Sequence, residues 1–294
     1  MGQDVHLDDR NNPSVTLMVV LGAAALTFVL SFVPFAGLVT WPLRLFSTFI
    51  HESSHALAAL LSFGSVDSLV VYPNGSGVTW TSGGWRFLIS SAGYLGTTLF
   101  GVWMILSARK TTTARWAMGI TGAMVLLLTA LYAGQGGSLP VFGGALLALG
   151  MMTVATRQGL HVALRLVLGS LAACALFGTV GYLWTSGGLL TWVLGLGSAG
   201  LLLAAARYTG GDFSKFIVAF LGVQVSLDAL RDVFGLIGLS AFSSAHTDAV
   251  NMAKAYGLPP LIWAMAWSAV AIVMVSAALG VLFMDARRQK ASGR

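Results

Sequence analysis

Nine apolar runs, most about as long as the roughly 20 residues a helix needs to cross a bilayer, constrain this chain more than any other feature. They cover 14–33, 41–63, 87–107, 116–133, 139–155, 164–184, 189–206, 216–239 and 260–283. Charged residues make up only 9% of the 294 positions against 56% hydrophobic, where a soluble domain carries about 25% charged residues. Such a chain has too little polar surface to face water, so lipid is the solvent that fits. Its 36 glycines agree, because small residues let membrane helices approach closely. The expected fold is an all-α polytopic membrane protein of about nine transmembrane helices.

The basic residues fall in short clusters between the runs: Arg109, Lys110 and Arg115; Arg157 and Arg165; Arg207 and Lys215; Arg287, Arg288, Lys290 and Arg294. With nine helices all four clusters reach one side, while the turns around Gln135, Ser186 and Pro259 carry almost no basic charge. The positive-inside rule then places the N-terminus outside and the C-terminus in the cytoplasm. The net charge of +6 forms no continuous stripe, so nucleic acid is not an expected partner. Residues 1–12 are net acidic through Asp4, Asp8 and Asp9 against Arg10. A secretory signal would open with a basic region, so the first run reads as a retained helix. The organisation expected is a polar arm over 1–13, a membrane domain over 14–283 and a basic cytoplasmic tail over 284–294. Cys174, the single cysteine, excludes an internal disulfide and a cysteine-rich metal site.

One segment, within 64–86, reads as β. Residues 66–72 and 78–81 are rich in β-branched and aromatic side chains, and Pro73-Asn74-Gly75-Ser76-Gly77 between them supplies the positive φ of a tight reversal. A short hairpin is expected there.

The second run contains His51-Glu52-Ser53-Ser54-His55. Positions i and i+4 share a helix face, so the two imidazoles can take adjacent corners of a Zn²⁺ tetrahedron at about 2.0–2.1 Å. Glu52 then stands beside the metal, placed to take a proton from water and pass it to a leaving amine. The motif is short, but composition sharpens it: Glu52 is the only glutamate, and the chain has five histidines. Random placement of so few residues would produce this arrangement on the order of once in several thousand shuffles. An ionisable group inside a membrane is costly and marks function by default. The bland alternative is a polar cluster that joins helices by hydrogen bonds.

A catalytic zinc needs a third protein ligand and an open position. His6 lies in the N-terminal arm and His161 at a basic turn, while Asp212 and Asp285 sit among loop and tail charges. The eighth run offers Asp228 and Asp232, again at i and i+4, and the loop after it offers His246 and Asp248. Arg231 stands three residues from Asp228 and can neutralise it. Asp232 is therefore the expected third ligand, with Asp228 as the alternative.

The chain resembles the M50 metallopeptidases of the site-2 protease clan, and within them the M50B-like branch. The resemblance rests on Phe49-Ile50-His51-Glu52-Ser53-Ser54-His55-Ala56, on the hairpin ending Gly75-Ser76-Gly77-Val78-Thr79, and on Ser91-Ala92-Gly93-Tyr94-Leu95-Gly96. Late in the chain, Leu227-Asp228-Ala229-Leu230-Arg231-Asp232 and Thr247-Asp248-Ala249 add to it. No Asp-Gly element of the better-known site-2 proteases stands near Asp228 or Asp232. The resemblance implies an integral protein of a bacterial plasma membrane. It would be a zinc metalloendopeptidase with His51, His55 and Asp232 on the metal, Glu52 as general base and acid, and a membrane protein as substrate. It also implies a cytoplasmic hairpin, whereas the charge count places 64–86 outside. Two other readings compete: a non-catalytic membrane subunit or scaffold in a larger complex, and a transporter using Asp228, Asp232 and His51 as a proton relay. The lack of an inverted repeat weighs against the transporter.

Overall fold

The computed structural model describes residues 13–30, 36–135, 137–157, 159–185, 188–242 and 247–292. Its elements in chain order are α1 (Pro13–Leu30), α2 (Ala36–Leu61), β1 (Ser65–Val71), β2 (Gly77–Ser82), α3 (Arg86–Ser107), α4 (Thr111–Tyr132) and α5 (Leu139–Ala155). They continue with α6 (Val162–Thr185), α7 (Gly188–Tyr208), α8 (Gly211–Phe242), α9 (Asp248–Tyr256) and α10 (Pro260–Ser292).

Six helical stretches among the described residues are long and apolar enough to cross a bilayer: Arg86–Ser107, Thr111–Tyr132, Val162–Trp184, Gly188–Tyr208, Gly211–Gly238 and Pro260–Arg288. They mark the chain as an integral membrane protein. The other three expected spans are helical but fall short of that measure. Leu17–Thr27 in α1 and Pro140–Ala155 in α5 are apolar but shorter. In α2, Arg44, His51, Glu52 and His55 dilute the hydropathy. The α10 helix runs on through the segment expected as a tail, as far as Ser292.

Helices α3 and α8 pack along each other at the centre, with α2 and α10 against them and the α4–α7 pair alongside. Without a hydrophobic drive between helices in lipid, such packing relies on close backbone approach. At the α3–α8 crossing a Cβ on Gly222 would lie 2.8 Å from the Ile105 nitrogen and 2.9 Å from the Gly101 carbonyl oxygen. A buried polar contact links α1 to α8, where the Thr27 hydroxyl donates to Gln224 Oε1 at 2.6 Å. The α5–α6 pair lies at the periphery, and Leu146, Leu166 and Phe177 face outward from it as lipid contact requires.

The expected hairpin is present: β1 and β2 pair antiparallel, from Ser65 opposite Ser82 to Val71 opposite Gly77. Gly75 in the turn has φ 88°, the left-handed region that Asn-Gly turns use. The outer edge of β1 is covered. Thr191 of α7 accepts from the Val71 N–H at 2.9 Å, and the Gly134 N–H donates to the Leu69 carbonyl at 2.9 Å. Among the described residues, β2 has β1 as its one strand partner.

Hairpin and basic clusters lie at opposite ends of α3. At the far end, Arg109 pairs with Asp285 of α10 at 2.5 Å, and Arg115 of α4 donates to the Thr209 carbonyl between α7 and α8 at 2.5 Å. These contacts bring three of the basic segments to one face. Replacing Gly222 by Leu is expected to destabilise the detergent-solubilised protein by about 1–3 kcal/mol through overpacking, read as a lower melting temperature. Gly238→Leu, whose Cβ would meet nothing within 4 Å among the described residues, is expected to leave it unchanged.

Candidate metal centre

His51, Glu52 and His55 occupy consecutive turns of α2, two turns into the bundle from the hairpin end. The i, i+4 spacing brings the two Nε2 atoms to 3.2 Å from each other. The third group to meet them is Asp248, at the start of α9, with Oδ2 3.5 Å from His51 Nε2 and 3.2 Å from His55 Nε2. These three side chains form the one group among the described residues whose ligand atoms converge as a metal site would require. Donors at about 2.0–2.1 Å from a tetrahedral ion stand about 3.3–3.4 Å apart, which the three separations match.

Protonation supports the same fit. His55 Nδ1 lies 2.6 Å from the Ile89 carbonyl oxygen of α3. A carbonyl only accepts, so Nδ1 carries a proton, and Nε2 is the nitrogen that faces Asp248. A metal ion at this point would take the place of the imidazole proton that pairs Nε2 with the Asp248 carboxylate at 3.2 Å. Burial alone would push the Asp248 carboxyl up, but the charge and hydrogen bonds of the two imidazoles outweigh it. They hold the group below the usual carboxylate range, in the ionised form a ligand needs.

Glycine makes room for this centre. A Cβ on Gly93 of α3 would collide with both Nε2 atoms, so α3 packs its backbone directly on the imidazole pair. Gly77 of β2 does the same for Glu52, where a Cβ would lie 2.6 Å from Oε1. Glu52 is 5% exposed, and its Oε2 accepts from the Thr79 hydroxyl of β2 at 2.7 Å. That hydroxyl also lies 3.0 Å from the Glu52 carbonyl. The hairpin thus fixes the carboxylate orientation from one side, while Tyr94 of α3 packs edge-on against His51 from another, with ring centroids 4.7 Å apart.

The expected third ligand, Asp232, is not brought into this group, and neither is Asp228. Asp228 is 4% exposed and pairs with Arg231 at 3.3 Å, the neutralisation that the i, i+3 spacing suggests. Asp232 sits one turn further along α8, exposed. Asp212 pairs with Lys215, Asp285 pairs with Arg109, and His161 lies at the exposed α5–α6 turn. His6 and His246 fall outside the described residues. Asp248 had a signal of its own. Thr247 caps α9, accepting from the Val250 N–H at 3.3 Å, and Gly257 ends it with φ 78°. Thr before and Gly after a nine-residue stretch are helix boundaries legible in the chain itself. Thr79 and Gly93 stood within the motifs that carry the resemblance, though not with these roles, and Ile89 had no signal.

A family model described as Peptidase M50B-like matches residues 17–186 and, in a second match, 142–278. No curated protein matches the chain, and no solved structure does. If the three converging side chains hold a metal, the purified protein is expected to carry about one equivalent of zinc. His55→Ala and Asp248→Ala should each reduce that to near zero, and Asp232→Asn should retain it, as read by elemental analysis of the bound metal.

Proposed function

Because this chain belongs to the Peptidase M50B-like family, we propose that it hydrolyses peptide bonds of membrane-spanning or membrane-proximal proteins, with zinc held by His51, His55 and Asp248. The observation that carries the reading is the Glu52 carboxylate, buried beside the converging ligands and aimed by Thr79. Zinc, when bound, supplies Lewis acidity that polarises a carbonyl and makes water acidic enough to act as a nucleophile near neutral pH.

Glu52 takes a proton from the attacking water and delivers it to the nitrogen of the departing amine as the C–N bond breaks. Its hydrogen bond from Thr79 keeps one oxygen occupied and leaves the other for this transfer. The Ile89 carbonyl holds the His55 tautomer. A helical peptide bond is shielded by its own hydrogen bonds, so the substrate has to unwind locally. The β2 edge away from β1, alongside Glu52, offers backbone groups to such an extended segment.

The basic segments joined through Arg109–Asp285 and Arg115–Thr209 mark the cytoplasmic face by the positive-inside rule. The C-terminus is then cytoplasmic, and the metal centre lies towards the opposite face of a bacterial plasma membrane. A Cys174→Ser, Ser76→Cys protein is expected to react with a membrane-impermeant maleimide in intact cells. Labelling only after lysis would place the hairpin inside.

Glu52→Gln is expected to keep its metal and to lose cleavage of co-expressed, tagged single-span membrane proteins by about 100-fold or more. A wild-type protein that binds zinc yet cleaves no member of such a panel would favour the scaffold reading.

A further inference from the structure

Hydrolysis places negative charge on the scissile carbonyl oxygen, and a donor aimed at that oxygen is a strong source of rate. Beyond the Lewis acidity that a bound zinc would supply, the side chains so far assigned offer no such donor. His51, His55 and Asp248 turn acceptor atoms towards the centre, Glu52 accepts, and Thr79 already donates to Glu52. Tyr94, whose ring lies against His51, is a donor beside the centre that these roles leave unused.

Its placement is unusually constrained. It follows Gly93, the residue pressed against both imidazole Nε2 atoms. Its ring stands at 83° to His51, and it also stacks on Trp267 of α10 with centroids 5.4 Å apart and an interplanar angle of 22°. Trp267 is itself backed by Trp263, 6.5 Å away. Helices α2, α3 and α10 therefore hold the ring together, and Leu95 and Leu236 pack in the same cluster. The ring is mostly buried, yet its hydroxyl makes no hydrogen bond among the described residues. The edge-on contact with His51, at 4.7 Å between centroids, places the phenol beside the centre. A tyrosine hydroxyl at the edge of a buried site normally finds a partner, and a substrate oxygen is one that this hydroxyl can take.

We propose that Tyr94 is a further catalytic residue, whose hydroxyl donates a hydrogen bond to the scissile carbonyl oxygen as the carbon becomes tetrahedral. No proton is transferred in this step. The phenol stays neutral, and the proton from water travels by way of Glu52. The proposal rests on the hydrolytic reading above and adds the group that stabilises the developing charge.

Tyr94→Phe tests it, because the ring contacts with His51 and Trp267 survive and only the hydroxyl goes. Two readouts are made on detergent-solubilised protein. The first is binding of acetohydroxamate to the cobalt-loaded protein, followed by the visible absorption of the metal, with metal content measured alongside. The expected result is unchanged metal content and affinity about 10-fold weaker. The second is peptide cleavage, where kcat should fall about 100-fold with KM unchanged. Unaltered acetohydroxamate affinity and kcat would overturn the proposal. So would loss of cobalt from Tyr94→Phe, which would make the hydroxyl a support for Asp248 instead. Tyr94→Leu, which removes the ring, separates packing from donation: it should lose metal where Tyr94→Phe does not. If wild-type protein cleaves nothing while the hydroxyl still governs acetohydroxamate affinity, the hydrolytic reading fails and the donor assignment stands as a ligand contact.

Discussion

The contact between Gly93 and the two imidazoles is the constraint on which the rest of the site depends. Two histidines at i and i+4 share a face of α2, but a shared face does not by itself bring their Nε2 atoms to a common point. Here α3 lies so close that its backbone, not a side chain, covers the pair. That approach also brings the Ile89 carbonyl to His55 Nδ1 and the Tyr94 ring to His51. One glycine therefore allows a neighbouring helix to set the tautomer of one imidazole and the orientation of the other. The hairpin acts in the same way on Glu52 through Gly77 and Thr79.

The source of the third carboxylate follows from the cost of charge in lipid. An aspartate on a spanning helix is expensive unless paired, and Asp228 is paired, with Arg231. Asp248 instead comes from a short capped helix between two spans, where the chain is free to place a carboxylate against the imidazoles. Met252 and Ala249 anchor α9 in the apolar cluster that includes Tyr94 and Trp267. Asp248 is thus carried by a segment whose own stability comes from packing on α3 and α10.

Much of the architecture could be read directly. Runs of about 20 apolar residues force helices, because lipid offers the backbone no alternative hydrogen-bond partners. Pro73-Asn74-Gly75 between β-branched stretches specified the hairpin. The number of spans was less legible: α2 is helical, yet the residues that make it chemically interesting take it below the apolarity of its neighbours. The short helix α9 was missed because a search for long apolar runs passes over a nine-residue amphipathic one.

By itself the sequence determined that this is a membrane protein, that His51 and His55 share a helix face, and that Glu52 stands beside them. These are local properties, set by hydropathy and by the 3.6-residue period of the helix. Only the tertiary structure decided that Asp248, almost 200 positions away from the histidines along the chain, meets them in place of Asp232. The reason is physical: which carboxylate reaches an imidazole pair depends on how α3, α8 and α10 pack and where they leave α9. Ranking acids by the energetic cost of their own segment cannot supply that information, since the cost says that a carboxylate has a task and not which partner it meets.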